Sequence, residues 1–233
     1  MGDFTREFLD DRGRVQRFQQ SLSEISVRRY ADMAAAYEHK LTDLLTYTAP
    51  ARVAEIFEEL FPPFRGQRIL ELGAGTGMLG AALAARPDHW DLTGLDVSQP
   101  MLDQVRAGGY SNLVCHDVCS ELPFPEGHFQ GAVAIGLSEH ILDIGQWFRG
   151  VSRVLSPGTP WVFTYVGAPP AGASISEFCT TGVLCHLPEF VDSELRLAGF
   201  TGDKADLSLF GYINAGLEVT YLLSNHCSGA RAC

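Results

Sequence analysis

Apolar and polar positions along this chain of 233 residues follow two periods, and their order predicts helices first and then strands and helices in alternation. Residues 4–40 carry apolar side chains three to eight positions apart and predict a helical region. Pro50 suits the first turn of a further helix, with Thr48 as its cap. From residue 69 onward, short apolar runs alternate with helix-forming segments. We expect the first five strands near 69–72, 90–96, 111–118, 131–137 and 155–166.

Two further runs, 204–209 and 216–224, are predicted as a sixth and a seventh strand that end the sheet as an antiparallel pair. Strands that alternate with helices are typical of an α/β fold with a mostly parallel sheet. Residues 167–188 interrupt this alternation with a segment rich in Gly, Ala, Ser, Thr and Cys. Long loops without periodicity in compact domains are usually functional, so we expect a substrate loop there.

A glycine-rich turn follows the first strand. The strand closes at the acid Glu71 and Leu72, then runs into Gly73, Gly75 and Gly77 and a helix-forming segment. Strand, glycine turn and helix open many nucleotide-binding sheets, and Gly80 even completes a dinucleotide pattern. A carboxylate before the turn would repel a diphosphate, whereas it would attract a cationic ligand. S-adenosylmethionine, which carries an ammonium and a sulfonium, fits that requirement.

The next two strands also end at acids. Asp96 lies nineteen residues after Gly77, where a doubly wound sheet places the carboxylate that binds ribose hydroxyls. The alternative is that Asp96 only caps the helix after it. Asp117 closes the third strand, where a carboxylate can accept a hydrogen bond from an adenine amine.

The segments ELGAGTG, LDVSQPML, LPFPEGHF, GLSEH and LSPG resemble the class I S-adenosylmethionine-dependent methyltransferases, over about residues 30–223. Within them, the pattern is most similar to the Williams–Beuren syndrome methyltransferase-like group. The resemblance implies an α/β fold: a seven-stranded, mostly parallel Rossmann-like sheet with one antiparallel strand, helices on both faces and an N-terminal helical cap. It implies a cap over the cofactor cleft at 1–60 and a methyltransferase domain at 61–233.

The resemblance also implies a set of cofactor contacts. Gly73, Ala74, Gly75 and Gly77 would lie against the methionine portion, Glu71 would orient the turn and the ammonium, and Asp96 would bind the ribose. Val97, Met101, Asp117 and Val118 would surround the adenine, Gly136 and Leu137 would line the path to the methyl group, and Tyr37 would close over the cofactor.

His140, after the fourth strand, is our candidate for a general base or a substrate contact, because an imidazole titrates near neutrality. The alternative is a histidine that packs under the cofactor. His186 and Tyr165 are weaker candidates, and a general base is optional for methyl transfer.

The composition of the chain limits the binding partners, metals and cellular locations that we expect. The net charge of −11 and the pI of about 5.0 disfavour nucleic acid and anionic membranes. The six cysteines include no CxxC pair, so no metal is expected. No apolar run approaches the ~18 residues of a membrane span, and the polar start is no secretory signal, so a cytoplasmic location is expected.

We therefore expect a methyltransferase that acts on a small, apolar or aromatic metabolite by in-line transfer. Two alternatives stay open at this point. One is an enzyme of the same fold that uses the cofactor for a non-methylating rearrangement or cyclisation, and the other is a non-catalytic regulatory subunit. The sequence does not indicate an oligomeric state.

Overall fold

A computed structural model describes residues 12–45, 47–60, 66–86, 90–106, 109–166, 184, 186, 188–205, 209–214 and 217–228. Its α-helices are α1 (Arg12–Met33), α2 (Tyr37–Leu45), α3 (Ala49–Leu60), α4 (Met78–Ala84), α5 (Gln99–Leu102), α6 (Ile144–Val154) and α7 (Pro188–Leu197). Two 3-10 helices cover Ala34–Ala36 and Ser138–His140. Its strands are β1 (Arg68–Leu72), β2 (Asp91–Asp96), β3 (Asn112–Cys115), β4 (Gly131–Ala134), β5 (Pro160–Val166), β6 (Phe200–Ala205), β7 (Leu209–Asn214) and β8 (Leu217–Ser228).

Strands β1 to β5 form a parallel sheet in the order β3-β2-β1-β4-β5. The order reverses between β1 and β4, because the chain leaves β1 toward β2 on one side and returns to β4 on the other. At such a switch point the loops after the strands diverge and leave a crevice at the carboxyl ends, which is where open α/β sheets bind ligands. The parallel α/β sheet that the sequence predicts is therefore confirmed.

The predicted seven strands with one antiparallel strand are wrong. After the five parallel strands, the described residues form three further strands rather than two, and β8 pairs antiparallel with β5, β6 and β7. The twelve residues of β8 are long enough for two partners on one side. Its end near residues 225–228 pairs with β6, and residues 217–222 pair with β7.

The apolar core covers both faces of the sheet, because successive strand residues point to opposite sides. One face packs against α3 and α4, and its buried members are Val53, Ala54, Ile69, Leu79, Leu83, Leu92, Val133 and Val162. The other face packs against α6 and α7, and its buried members include Trp147, Phe148, Trp161, Phe163, Val191 and Leu195. Helices on both faces are thus confirmed.

Several predicted bounds differ from the structure. The helix expected over 4–40 is described from Arg12 and is interrupted by the 3-10 turn at Ala34–Ala36. Strand β3 ends at Cys115, so Asp117 lies in the following turn and not at a strand end. Of the expected substrate loop, residues 167–183, 185 and 187 lie outside the described residues. Among the described helices, none is both long enough and apolar enough to cross a membrane.

Candidate functional site

The turn after β1 exposes bare backbone at the switch point. Gly73, Gly75 and Gly77 have φ angles of 75°, 56° and 84°, a region that side-chain-bearing residues rarely adopt. The amides of Gly73 and Ala74 bond to the carbonyl of Leu95 in β2, at 2.7 and 3.0 Å. The neighbouring strand therefore holds the turn.

Asp96 ties the turn to β2. Its Oδ2 accepts from the Gly75 amide at 2.9 Å and its Oδ1 from the Ser98 amide at 2.8 Å. Burial raises the pKa of this carboxyl above its usual value, and these amide bonds act in the opposite direction. Each carboxylate oxygen has a second lone pair, so Asp96 can still accept from hydroxyls in the cleft. It is partly buried at the strand end, and the alternative of a fully exposed helix cap does not describe it.

Glu71 lies under the turn with a partner from another part of the chain. The Tyr110 hydroxyl donates to its Oε2 at 2.5 Å. Burial raises the pKa of Glu71 to about 8, the bond from Tyr110 lowers it, and repulsion from Asp96 raises it further. The two predicted acids are therefore close enough to interact.

A cleft of about 700 Å³, open solvent included, lies above the carboxyl ends of the strands. The predicted residues that line it are Tyr37, Gly73, Gly75, Asp96, Val97, Met101, Asp117, Val118, Gly136, Leu137 and His140. A smaller cavity of about 330 Å³ shares Tyr37, Gly73 and Gly75 with it and adds Glu71 and Ala74. Of the predicted cofactor residues, only Gly77 lines neither space. Instead, it precedes α4 as its N-cap.

No Lys or Arg is among the described residues that line either space. The ionisable acids that do line them are Glu71, Asp96 and Asp117. Asp117 is held by its own turn, because its Oδ1 accepts from the Cys119 amide at 2.9 Å. Such a lining is unsuited to a diphosphate, whereas it suits a ligand with a positive charge.

His140 closes one side of the larger cleft together with α1. Its Nε2 lies 2.9 Å from the Tyr30 hydroxyl, and the two rings meet edge to face with centroids 5.5 Å apart. Tyr37 continues the aromatic wall, with its ring 5.8 Å from that of Tyr30. Burial, and to a smaller degree the positive charge of Arg29, lower the pKa of His140 to about 4. The imidazole is therefore neutral at pH 7.

The two weaker catalytic candidates line neither space. His186 is buried, and its Nε2 lies 3.1 Å from the Ser138 carbonyl, so it supports the loop after β4. Burial lowers its pKa. Tyr165 is buried in the sheet core, with its ring 6.0 Å from that of Phe163.

Sequence reasoning missed several residues of the site. Ser23 and Ser26 of α1, Cys119 and Ile135 also line the larger cleft. Tyr110 was missed because it precedes a strand in a region without periodicity. Three glycines in two separate segments make room for it, and only the fold shows that they surround one ring.

Residues 69–158 match the family described as Methyltransferase domain. The chain is 32% identical to the O-methyltransferase rstn1 of Aspergillus nomiae over 117 residues, which are 48% of this chain and 52% of that protein. It is 30% identical to the demethylmenaquinone methyltransferase of Thermus thermophilus over 149 residues, 62% of this chain and 67% of that protein. The chain spans about half the length of several curated relatives.

Among solved structures, the chain is similar to that of the 4+2 cyclase SpnF, with 28% identity and a TM-score of 0.56. That similarity covers 69% of this chain and 59% of the other.

Proposed function

Because this chain belongs to the class I S-adenosylmethionine-dependent methyltransferases, we propose that it transfers a methyl group from that cofactor to a small, apolar or aromatic acceptor. One observation carries the proposal. The acids Glu71 and Asp96 flank a bare glycine turn at the switch point, in a cleft without Lys or Arg among the described lining residues.

The residues present fit the cofactor. Gly73 has a φ of 75°, and a Cβ built on it would lie 3.2 Å from Leu137 Cδ1, so the turn presents bare backbone to the cleft at this position. Thr76 Oγ1 is buried beside the turn and has no hydrogen-bond partner among the described residues, which is expected where a polar ligand completes the site.

Each part of the cofactor (the ribose, the adenine and the methionine portion) would be bound by a different set of residues. The acceptors on Asp96 would bind the ribose hydroxyls, and Met101 and Val118 would pack on the adenine, with Asp117 accepting from its amine. Gly73, Ala74 and Gly75 would lie against the methionine portion, and Glu71 would face its ammonium. Tyr37 would cover the ligand.

When bound, S-adenosylmethionine supplies a methyl carbon that a positively charged sulfur activates. The contribution of the chain is to orient an acceptor atom toward that carbon and to exclude water, which can be worth ~7–11 kcal/mol. Gly136 and Leu137 would line the approach, and Tyr30, Tyr37 and His140 form an aromatic wall beside it. This wall supports an apolar or aromatic acceptor.

His140 suits the orientation of an acceptor better than proton removal. A pKa of about 4 leaves the imidazole neutral and able to accept a hydrogen bond, but it makes His140 a weak base at pH 7. We therefore propose that His140, with the Tyr30 hydroxyl, orients an acceptor group.

Further parts of the proposal rest on the sequence alone. We propose that residues 1–60 form a cap over the cleft, that residues 167–188 form a substrate loop, and that the chain belongs to the Williams–Beuren-like group. We also propose that the protein is cytoplasmic and acts without binding nucleic acid or a membrane. The relatives named as methyltransferases favour methyl transfer over the non-methylating and regulatory alternatives.

Two experiments test the function. Calorimetry should show micromolar binding of S-adenosylmethionine or S-adenosylhomocysteine, and an Asp96→Ala variant should bind much more weakly. A screen of small aromatic and apolar acceptors should then show a product heavier by one methylene group, with S-adenosylhomocysteine released. Absence of cofactor binding by the wild type contradicts the proposal. Product formation without S-adenosylhomocysteine would favour the cyclisation alternative.

A further inference from the structure

Tyr110 occupies a space that glycines keep open beneath the turn. A Cβ built at Gly80 would lie 2.3 Å from its ring, and at Gly94 and Gly77 the distances would be 2.8 and 3.1 Å. Real Cβ atoms essentially never approach so closely as the first two distances. Gly80, the third glycine of the apparent dinucleotide pattern, therefore makes room for the Tyr110 ring and does not indicate a diphosphate site.

The Tyr110 hydroxyl connects the start of α4 to Glu71. The first amides of a helix lack intrahelical partners, and the Gly80 amide is one of them, since the first i to i−4 bond runs from Ala81 to Gly77. This Gly80 amide donates to the Tyr110 oxygen at 3.2 Å. The hydroxyl oxygen is therefore the acceptor on that side, and its single proton is directed to Oε2 of Glu71.

We propose that Tyr110 is a positioning residue for cofactor binding: it holds Oε2 of Glu71, so that Oε1 serves the cationic amino end of S-adenosylmethionine. Two observations support it. Glu71 lines the smaller cavity beside the glycine turn, and its Oε2 accepts the hydrogen bond from Tyr110, which leaves Oε1 as the oxygen for a ligand. The inference rests on the proposed function.

The surroundings of Glu71 make its charge depend on that cation. The other charged or titratable residues near it in the described part of the chain are Asp96 and Tyr110, together with Tyr37 and Tyr47, which line the smaller cavity. None of them is a cation at neutral pH. Because burial raises the pKa of Glu71 to about 8, a bound ammonium would favour loss of its proton, and the bond from Tyr110 would stabilise the resulting carboxylate.

The test compares two ligands on wild type and Tyr110→Phe by calorimetry, below and above pH 8. S-adenosylhomocysteine carries the amino end, and 5′-methylthioadenosine lacks it. The variant keeps the ring between the glycines and loses only the hydroxyl. Since a hydrogen bond to a charged group contributes about 1.5–3 kcal/mol, we expect S-adenosylhomocysteine to bind about 10- to 100-fold more weakly below pH 8. This difference in affinity between Tyr110→Phe and wild type should become smaller above pH 8. The affinity for 5′-methylthioadenosine should be the same in both proteins.

Glu71→Gln is the matched control. It keeps the shape of the side chain and removes its titration, so adding Tyr110→Phe to it should cause little further loss of affinity. A second readout needs no variant: in buffers of different ionisation enthalpy, wild type should release a proton on binding S-adenosylhomocysteine below pH 8 and none on binding 5′-methylthioadenosine.

An equal loss for both ligands in Tyr110→Phe would indicate a structural role only and would overturn the inference. Unchanged binding of both ligands, or absence of the proton release, would overturn it as well. In each of these cases the wild type still binds, and the proposed function stands. A wild type that binds neither ligand would overturn the proposed function and this inference together.

Discussion

Replacement of Glu71 by glutamine should change how the stability of the ligand-free protein depends on pH. The carboxyl is 3% exposed, and its pKa is raised from 4.5 to about 8, with burial as the largest cause. A folded-state pKa above the unfolded value means that folding favours the protonated form. The associated stability is present below pH 4.5 and is lost as the pH rises through about 8. Glutamine is neutral at every pH and keeps an amide oxygen that can accept from Tyr110.

The magnitude follows from the gap between the two pKa values. At 1.36 kcal/mol per pH unit, the interval from 4.5 to about 8 corresponds to about 5 kcal/mol, which is a large share of the ~5–15 kcal/mol that stabilises a typical domain. The free energy of unfolding of Glu71→Gln minus that of wild type should therefore rise by roughly this amount across the interval.

Urea unfolding at several pH values between 4.5 and 8, without ligand, measures this difference. His140 acts in the opposite direction, because its lowered pKa gives stability that is lost as the pH falls from 6.5 to about 4. That contribution is common to both proteins and cancels in the difference. Glu121→Gln, at an exposed carboxyl, is the control. A Glu71→Gln difference that stays constant between pH 4.5 and 8 would refute the argument.

Three further predictions concern neighbouring residues. Asp96→Ala should weaken S-adenosylhomocysteine binding about 10-fold or more by calorimetry, since charge-assisted bonds are lost, whereas equal affinity would contradict its ribose role. His140→Phe should lower kcat about 10-fold or less on an acceptor found by the screen, because one hydrogen bond is lost. A loss of about 10²–10⁴ would instead show a general base. Gly80→Ala should destabilise the fold by about 1–3 kcal/mol in urea unfolding through overlap with the Tyr110 ring, and much less in a Tyr110→Ala background.

The N-terminal helices show what a boundary predicted from sequence leaves undecided about packing. The sequence places a cap at 1–60, before the methyltransferase domain. In the structure, Val53 and Ala54 of α3 are fully buried against Ile69 and Val133 of the sheet. The composition of residues 61–66 predicts a linker between two parts of the chain. It does not predict whether a helix before that linker packs on the sheet, because this depends on which apolar faces meet in the folded protein.

The strand count was wrong for a similar reason. Apolar runs at 204–209 and 216–224 predict one strand each. The observed β6 and β7 instead share one side of the long β8. The number of strands that can pair along one side of β8 depends on the length of β8. The apolar residues of β6 and β7 carry no information about that length.

The sequence by itself determined the parallel α/β order, the glycine turn with its positive φ angles, and the acids at the ends of the first two strands. These features are local, because hydrophobic period and turn chemistry act over a few residues. The tertiary structure alone decided that Tyr110 holds Glu71, thirty-nine residues away, and that Tyr30 meets His140, one hundred and ten residues away. Such contacts depend on how packed elements lie against one another, so no local pattern encodes them.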